Sequence, residues 1–183
     1  MHPSMLAAAG LCCLVGISPS AAFDPELLEK LKANPLCENC DLSGGNLSDA
    51  YLPGIVLVGA DLTGADFSGA NLNGANLTGA KLSGAIFSGA SFKYVIMVDA
   101  DLTDAQLEEA NLSAGNLKGT DFSGASLRGA DLRGTKLENA RFLGANMRGA
   151  NLRDAKDLDP GSVADATICE TVMPDGQVNN IGC

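Results

Sequence analysis

Tryptophan is missing from this 183-residue chain, and two Tyr and six Phe leave aromatics at only 4%. A core packed around large rings is therefore excluded, and 22 Gly point instead to a repetitive architecture of small residues. The single histidine is His2, at the extreme N-terminus. His-dependent triads and acid/base pairs thus have nothing to be built from in the body of the chain. Basic residues are scarce as well: 12 Lys and Arg against 22 Asp and Glu give a net charge of -10. That balance repels a polyanion except at a local basic patch, so nucleic acid is a poor partner. Long apolar runs are also lacking, since Met5 to Ile17 spans 13 residues where a membrane-spanning helix needs about 20. The mass of 18.6 kDa fits one domain.

The run from Met5 to Ile17 reads as the apolar core of an export signal, broken by Pro19. Ser20-Ala21-Ala22 then offers small residues for cleavage before Phe23. No Lys or Arg precedes the run, which keeps a short apolar cytosolic N-terminus as the alternative. Cleavage would remove Cys12 and Cys13 and leave Cys37, Cys40, Cys169 and Cys183, an even set suited to an oxidising compartment. No transmembrane span would remain.

From Cys40 to Asp154 the sequence runs in five-residue units without a slip, 115 residues and 23 repeats, as in Ala60-Asp61-Leu62-Thr63-Gly64 followed by Ala65-Asp66-Phe67-Ser68-Gly69. All 23 central residues are apolar: 16 Leu, 5 Phe and 2 Met. Two places before the centre stands Ala in 16 units, and two places after it Gly in 15. A helix cannot use this pattern, because five steps of about 100° scatter the centres around the axis. An extended segment can, since the Ala and the centre share one face. The period is odd, so the face would flip at each unit unless the chain bends every five residues, and Gly or Asp after the centre is turn chemistry. Bends of one hand wind the chain into a coil with Ala and Leu inside and neighbouring coils joined by backbone hydrogen bonds.

Tandem Ala-(Asp/Asn)-Leu-x-x units resemble the pentapeptide-repeat family. The resemblance implies an all-β fold, a right-handed, four-sided β-helix with about twenty residues per coil. The 23 units then make just under six coils and a rod of roughly 27 Å at a coil spacing of about 4.8 Å. The ends read as caps, which a solenoid needs over its open edges. Asp24-Pro25 starts a short helix, Leu27, Leu28 and Leu31 form its apolar face, and Asn34-Pro35 stops it. Asp157 breaks the repeat; Ala166-Thr167-Ile168 and Thr171-Val172-Met173 resume it one residue out of phase, and Pro174-Asp175-Gly176 makes a turn. The expected organisation is a signal over 1–22, a capping helix and linker over 23–39, the β-helix over 40–154 and a C-terminal cap over 155–183. The opening Cys37-Glu38-Asn39-Cys40 and the tail from Cys169 through Met173-Pro174-Asp175-Gly176 to Cys183 are similar to those of exported members from cyanobacteria and chloroplasts.

In a rod of this kind Cys37 and Cys40 lie at one end and Cys169 and Cys183 at the other. A disulfide needs Cα atoms within about 7 Å, so pairing within each end is favoured, and the C-terminal pair would close the tail. A redox-active Cys-x2-Cys and half of a zinc site remain as alternatives for Cys37 and Cys40.

Residues twenty apart should stack on one side of the coil. One side then shows Val56 and Val58, and two coils on Ile96 and Val98, about 10 Å away, with Tyr94 at the adjoining corner. Inside the same column Ile55 and Val95 replace Ala, and Gly115 makes room one coil past Val95. These residues are either local β-propensity or a contact patch for a partner or a second copy. Charge is uneven too: residues 40 to 109 hold nine acidic and two basic side chains, net -7, and residues 118 to 156 four acidic and eight basic, net +4. Arg128 stacks over Arg148 and Arg133 over Arg153. They form a solvated side neutralised by Asp121, Asp131 and Glu138, or a docking site for an acidic protein or anionic headgroups.

A filled interior leaves no cleft to shift the pKa of paired carboxylates such as Glu108 and Glu109. The glycines follow the five-residue count and form no phosphate loop. No catalytic residue, cofactor or metal is expected. The chain is read as an exported, non-enzymatic structural or protein-binding module of the periplasm or thylakoid lumen with an unidentified protein partner. The alternative is a cytosolic acidic mimic of DNA that protects gyrase, as some pentapeptide-repeat proteins do.

Overall fold

The computed structural model describes residues 25–183. The expected export signal over 1–22, its two cysteines, and Asp24 lie outside the described residues. Helix α1, Pro25–Ala33, comes first. Lys30 pairs with Glu26 at 2.7 Å and Lys32 with Glu29 at 3.0 Å on its outer side, the helical spacing at which opposite charges meet. Its Leu27, Leu28 and Leu31 are buried, packed against the core of the first coil. Gly45 stands where Ala is the rule, and a Cβ there would lie 3.1 Å from a terminal methyl of Leu27. The helix therefore sits into a hole that the first coil leaves open for it.

The body is a stack of four-sided coils. Parallel bridges join each residue before a centre to the one twenty later, as Asp41 to Asp61, Asp61 to Lys81 and Lys81 to Asp101. Twenty residues per turn are four pentapeptides, one to a side. The bridges begin with Leu36 to Val56 and end the regular run with Lys136 to Lys156. Thus Pro35 to Asn39 is already a coil side, with Cys37 in the central place.

The five amides of a unit account for its sequence. The central amide donates to the next coil, as Leu62 to the Lys81 carbonyl at 2.8 Å, and the amide two places on does the same, as Gly64 to Ser83 at 3.0 Å. The amide before the centre donates to the previous coil, as Asp61 to Cys40 at 2.8 Å, and the Ala amide closes the corner, as Ala65 to Leu62 at 3.0 Å. The fifth, just after the centre, is outside this ladder and, where Asp or Asn stands two residues earlier, is taken by that side chain. Asp66 Oδ1 accepts from the Ser68 amide at 2.9 Å and from its hydroxyl at 2.6 Å. This local bond is the physical reason for Asp or Asn before the centre and Ser or Thr after it.

The corner residue two after the centre has positive φ throughout, whether Gly, as Gly64 at 65°, or not, as Tyr94 at 60° and Ala114 at 57°. Gly is favoured there because it alone adopts this region without a steric cost. Asp99 shows a second use: its carboxylate overhangs the α-carbon of Gly119, where a Cβ would collide with it.

Inside, every centre from Leu42 to Leu152 is at most 4% exposed. Phe67 stacks on Phe87 at 5.5 Å and Phe122 on Phe142 at 5.1 Å, each pair one coil apart. Thr120 and Thr135 replace Ala, and their buried hydroxyls donate to the carbonyls of Met97 and Leu132, each at 2.7 Å. Val95 fits because Gly115 is opposite: a Cβ on Gly115 would stand 3.1 Å from its methyl.

After Lys156 the winding changes. A 3-10 turn, Pro160–Val163, takes the place of one coil side and buries Val163. Winding then resumes with Asn146 bridged to Thr167 and Asn151 to Val172, twenty-one residues apart. The one-residue phase shift is thereby absorbed. Strand β1, Thr171–Val172, pairs antiparallel with β2, Val178–Asn179, across the turn at Pro174-Asp175-Gly176, where Gly176 has φ 82°. The tail is tied back by a disulfide between Cys169 and Cys183, Cα atoms 4.9 Å apart. Cys37 and Cys40 form the other disulfide at 5.5 Å.

Candidate interaction surfaces

The interior is filled, so the chemistry available to other molecules lies on the four sides and the two ends. The side carrying Val56 also carries Val58, Ile96 and Val98, bridged through Asn76. Ile96 is 39% exposed and Tyr94, at the corner, 69%; the three valines are half-buried. Leu36 heads the same column, bridged to Val56 and 62% exposed. Sequence reasoning passed over Leu36, although its place twenty residues before Val56 was the signal. The inward substitutions Ile55 and Val95 lie beneath this side and are fully packed.

The arginine columns are partly compensated. Arg133 grips Asp131 with two hydrogen bonds, Nε to Oδ1 at 2.8 Å and a terminal nitrogen to Oδ2 at 2.6 Å. That contact is the main reason the Asp131 carboxyl lies below its usual range. Arg148 faces Glu170 at 3.4 Å, Arg141 faces Asp121 at 3.3 Å and Lys118 faces Glu138 at 2.9 Å. Glu170 comes from the out-of-phase tail, which a fixed count of twenty could not align with Arg148. Arg128 lies beside Glu108: burial pushes that carboxyl up, but hydrogen bonds from Ser126 and Ser88 and the charge of Arg128 outweigh it and leave it lowered. Arg128 and Arg153 form no salt bridge among the described residues, and neither do Lys136 and Lys156. The basic columns are therefore a mixed-charge surface with a few free cations.

Asp61 and Asp121 are further carboxyls held low, Asp61 chiefly by the Thr63 hydroxyl, Asp121 by hydrogen bonds from Ser123 that overcome its burial. Both belong to a side bearing Asp41, Asp61, Asp101 and Asp121, interrupted by Lys81 and Arg141. At the C-terminal end an open apolar depression of about 650 Å³ lies among Leu158, Val163, Ile168, Met173, Val178 and Ile181. Among the described residues no group of three or more His, Cys, Asp or Glu side chains is placed to hold a metal ion. No helix among them is long and apolar enough to cross a membrane.

Four-sided coils of pentapeptides with a local Asp or Asn bond in most units define a class of repeat proteins. The sequence model described as pentapeptide repeats matches in eight copies, over residues 40–79, 70–108, 105–142 and 125–156. The chain belongs to the pentapeptide repeat family, whose members fold as right-handed β-helices and are generally structural or binding proteins.

Similar solved structures include cyanobacterial and thylakoid-lumen members. HetL, a pentapeptide repeat protein involved in heterocyst differentiation regulation from Nostoc sp. strain PCC 7120, is 23% identical. The match covers 86% of this chain and 100% of that one, with a TM-score of 0.40. A pentapeptide repeat protein from Cyanothece 51142 is 26% identical over 71% of this chain and 94% of its own, with a TM-score of 0.49. One from the Arabidopsis thaliana thylakoid lumen is 30% identical over 65% and 82%, with a TM-score of 0.35. No curated protein matches the chain with significance.

Proposed function

We propose that the protein is an exported, non-enzymatic structural or protein-binding module of the periplasm or thylakoid lumen. In this reading residues 1–22 are removed as a signal, 23–34 and 155–183 cap the two ends, and the β-helix, expected over 40–154 but with its first side already at Pro35 to Asn39, presents its sides to a protein partner. The observation that carries it is the filled rod: no centre from Leu42 to Leu152 exceeds 4% exposure, so recognition has to use side chains on the outside. Val56, Val58, Tyr94, Ile96 and Val98 make one candidate patch. Arg128, Arg133, Arg148 and Arg153 make another, suited to an acidic partner.

Export is supported by the apolar run ahead of Phe23 and by the pairing of all four downstream cysteines, which suits an oxidising compartment. The cytosolic DNA-mimic alternative asks for an uninterrupted anionic side. Here the most acidic side is broken by Lys81 and Arg141, and the last coils mix cations with acids.

The test is the intact mass of the native protein from each cell fraction, with and without reduction and alkylation. A chain beginning at Phe23 with four oxidised cysteines is the expected result. A chain that keeps residues 1–22 with free thiols would place the protein in the cytosol and overturn the export reading.

A further inference from the structure

The side that carries Leu36, Val56 and Ile96 continues toward the C-terminus into Lys136 and Lys156, bridged to one another in adjacent coils. Apolar side chains thus head the strip and cations end it, over about 29 Å for six coil steps. Its carboxylates are Glu38 at the head, Asp99 at a corner, Glu138, already taken by Lys118, and Asp157 beside Lys156. Exposed apolar side chains occur singly on the other sides, as Tyr51 and Leu143; here they share a column.

A second observation points to what the strip lacks. Where Asp or Asn stands before the centre it accepts from the amide just after the centre, as Asn76 does from Thr78 at 3.1 Å. Val56 and Ile96 cannot accept, and the amides of Val58 and Val98 donate to no described residue. The strip therefore presents outward N–H donors between its apolar side chains and free ammonium groups at its far end. What it needs is acceptors. At the head, a pocket of about 170 Å³ has Lys32 in its lining together with Pro35 and Ile55, the residues just before Leu36 and Val56 in the chain.

We propose that this side is a docking strip for an acidic segment of a partner protein, laid along the rod axis. Apolar side chains of the segment lie over Leu36, Val56 and Ile96, and its carboxylates over Lys136 and Lys156. The proposal rests on the binding-module reading and names the chemistry of what is bound. A second copy of this chain does not fit. Parallel strips would set the lysines against themselves, and antiparallel strips would set them against Leu36 and Val56. A broad anionic membrane fits poorly, because the side that shares a corner with the strip carries Asp41, Asp61, Asp101 and Asp121 and would repel the headgroups along that edge. A segment one helix or one strand wide avoids them; about 20 helical residues cover the length.

The experiment selects random 20-residue displayed peptides on the oxidised native protein and measures their affinity for a panel of variants. Recovered peptides should be rich in Asp or Glu and in large apolar residues. Affinity should fall at least about tenfold with Val56→Asn plus Ile96→Asn, which copy the Asn76 between them. It should fall about three- to tenfold, in a salt-dependent way, with Lys136→Glu plus Lys156→Glu. Unchanged melting temperatures check the folding of each pair, and the lysine pair tests the strip without touching its apolar part. Peptides indifferent to both pairs but lost with Arg128→Glu plus Arg153→Glu would overturn the strip and leave the binding-module reading standing. Flotation with phosphatidylglycerol vesicles that depends on the same residues, with no peptide recovered, would overturn it in favour of a lipid surface. No binding of peptide or vesicle would remove both readings.

Discussion

The two ends of the rod close the same kind of opening by different means. At the N-terminal end, α1 lays three buried leucines over the first coil, and Gly45 removes the one methyl that would block Leu27. At the C-terminal end a 3-10 turn and a short hairpin are tied by the Cys169–Cys183 bond and leave an apolar depression of about 650 Å³. Packing closes one end and a covalent link the other. The difference follows from sequence: the first cap has the periodicity of an amphipathic helix, whereas the tail, broken by Pro160, Pro174 and Gly176, buries Val163 and Ile168 from a short turn and an irregular segment.

The sharpest way to break this contrast is Leu31→Ala in α1. Loss of a buried leucine at a packed cap should cost about 2–5 kcal/mol in urea unfolding; a loss well under 1 kcal/mol would mean that the helix does not close the coil. Next comes Cys183→Ser. Opening a bond across a sequence separation of 14 should cost about 3 kcal/mol by the chain-entropy estimate. Limited proteolysis should then clip the tail after Met173 while residues 40–154 stay protected, and uniform digestion would show that this end supports the whole rod.

A finer test is Gly45→Ala. The added methyl crowds Leu27 and the Leu42 carbonyl, each at 3.1 Å, so a loss of about 1–3 kcal/mol is expected. Combination with Leu27→Ala should then be less than additive, since the side chain that is crowded is gone; strict additivity would detach the glycine from the helix. The smallest effect is that of acid. Asp61, Glu108, Asp121 and Asp131, all in the coils, have lowered pKa values. Their folded-state carboxylates are favoured, so their contribution is present at neutral pH and is lost as pH falls through about 4 and below. These groups are half-buried and still reached by solvent, so the fall in melting temperature between pH 5 and 3 should be modest, and Asp131→Asn should blunt it. A rise on acidification would contradict the sign.

Much of the fold is legible in the linear pattern because one unit repeats. Ala two before an apolar centre implies one inward face, Gly two after it implies a corner, and Leu27, Leu28 and Leu31 mark the cap. Less legible is why Asp or Asn precedes the centre. The reason is the orphan outward amide, which is evident only when the other four are seen to be committed. The candidate surface was visible in part: Val56 and Ile96 departed from the coat, whereas Leu36 preceded the register chosen at Cys40. Glu170 was hidden by the phase shift, since only the 3-10 turn shows that the spacing has become twenty-one.

By itself the sequence determined the repeat unit, the inward and outward positions and the crowding that Gly115 relieves beside Val95, because a strict five-residue period leaves each position one environment. Tertiary structure alone decided which outward residues meet. Residues twenty apart become neighbours only once the coils stack, so Lys136 and Lys156 end an apolar strip, Lys118 is taken by Glu138, and Arg148 reaches a glutamate from the tail. Stacking distance, not distance along the chain, governs which charges compensate one another and which are left for a partner.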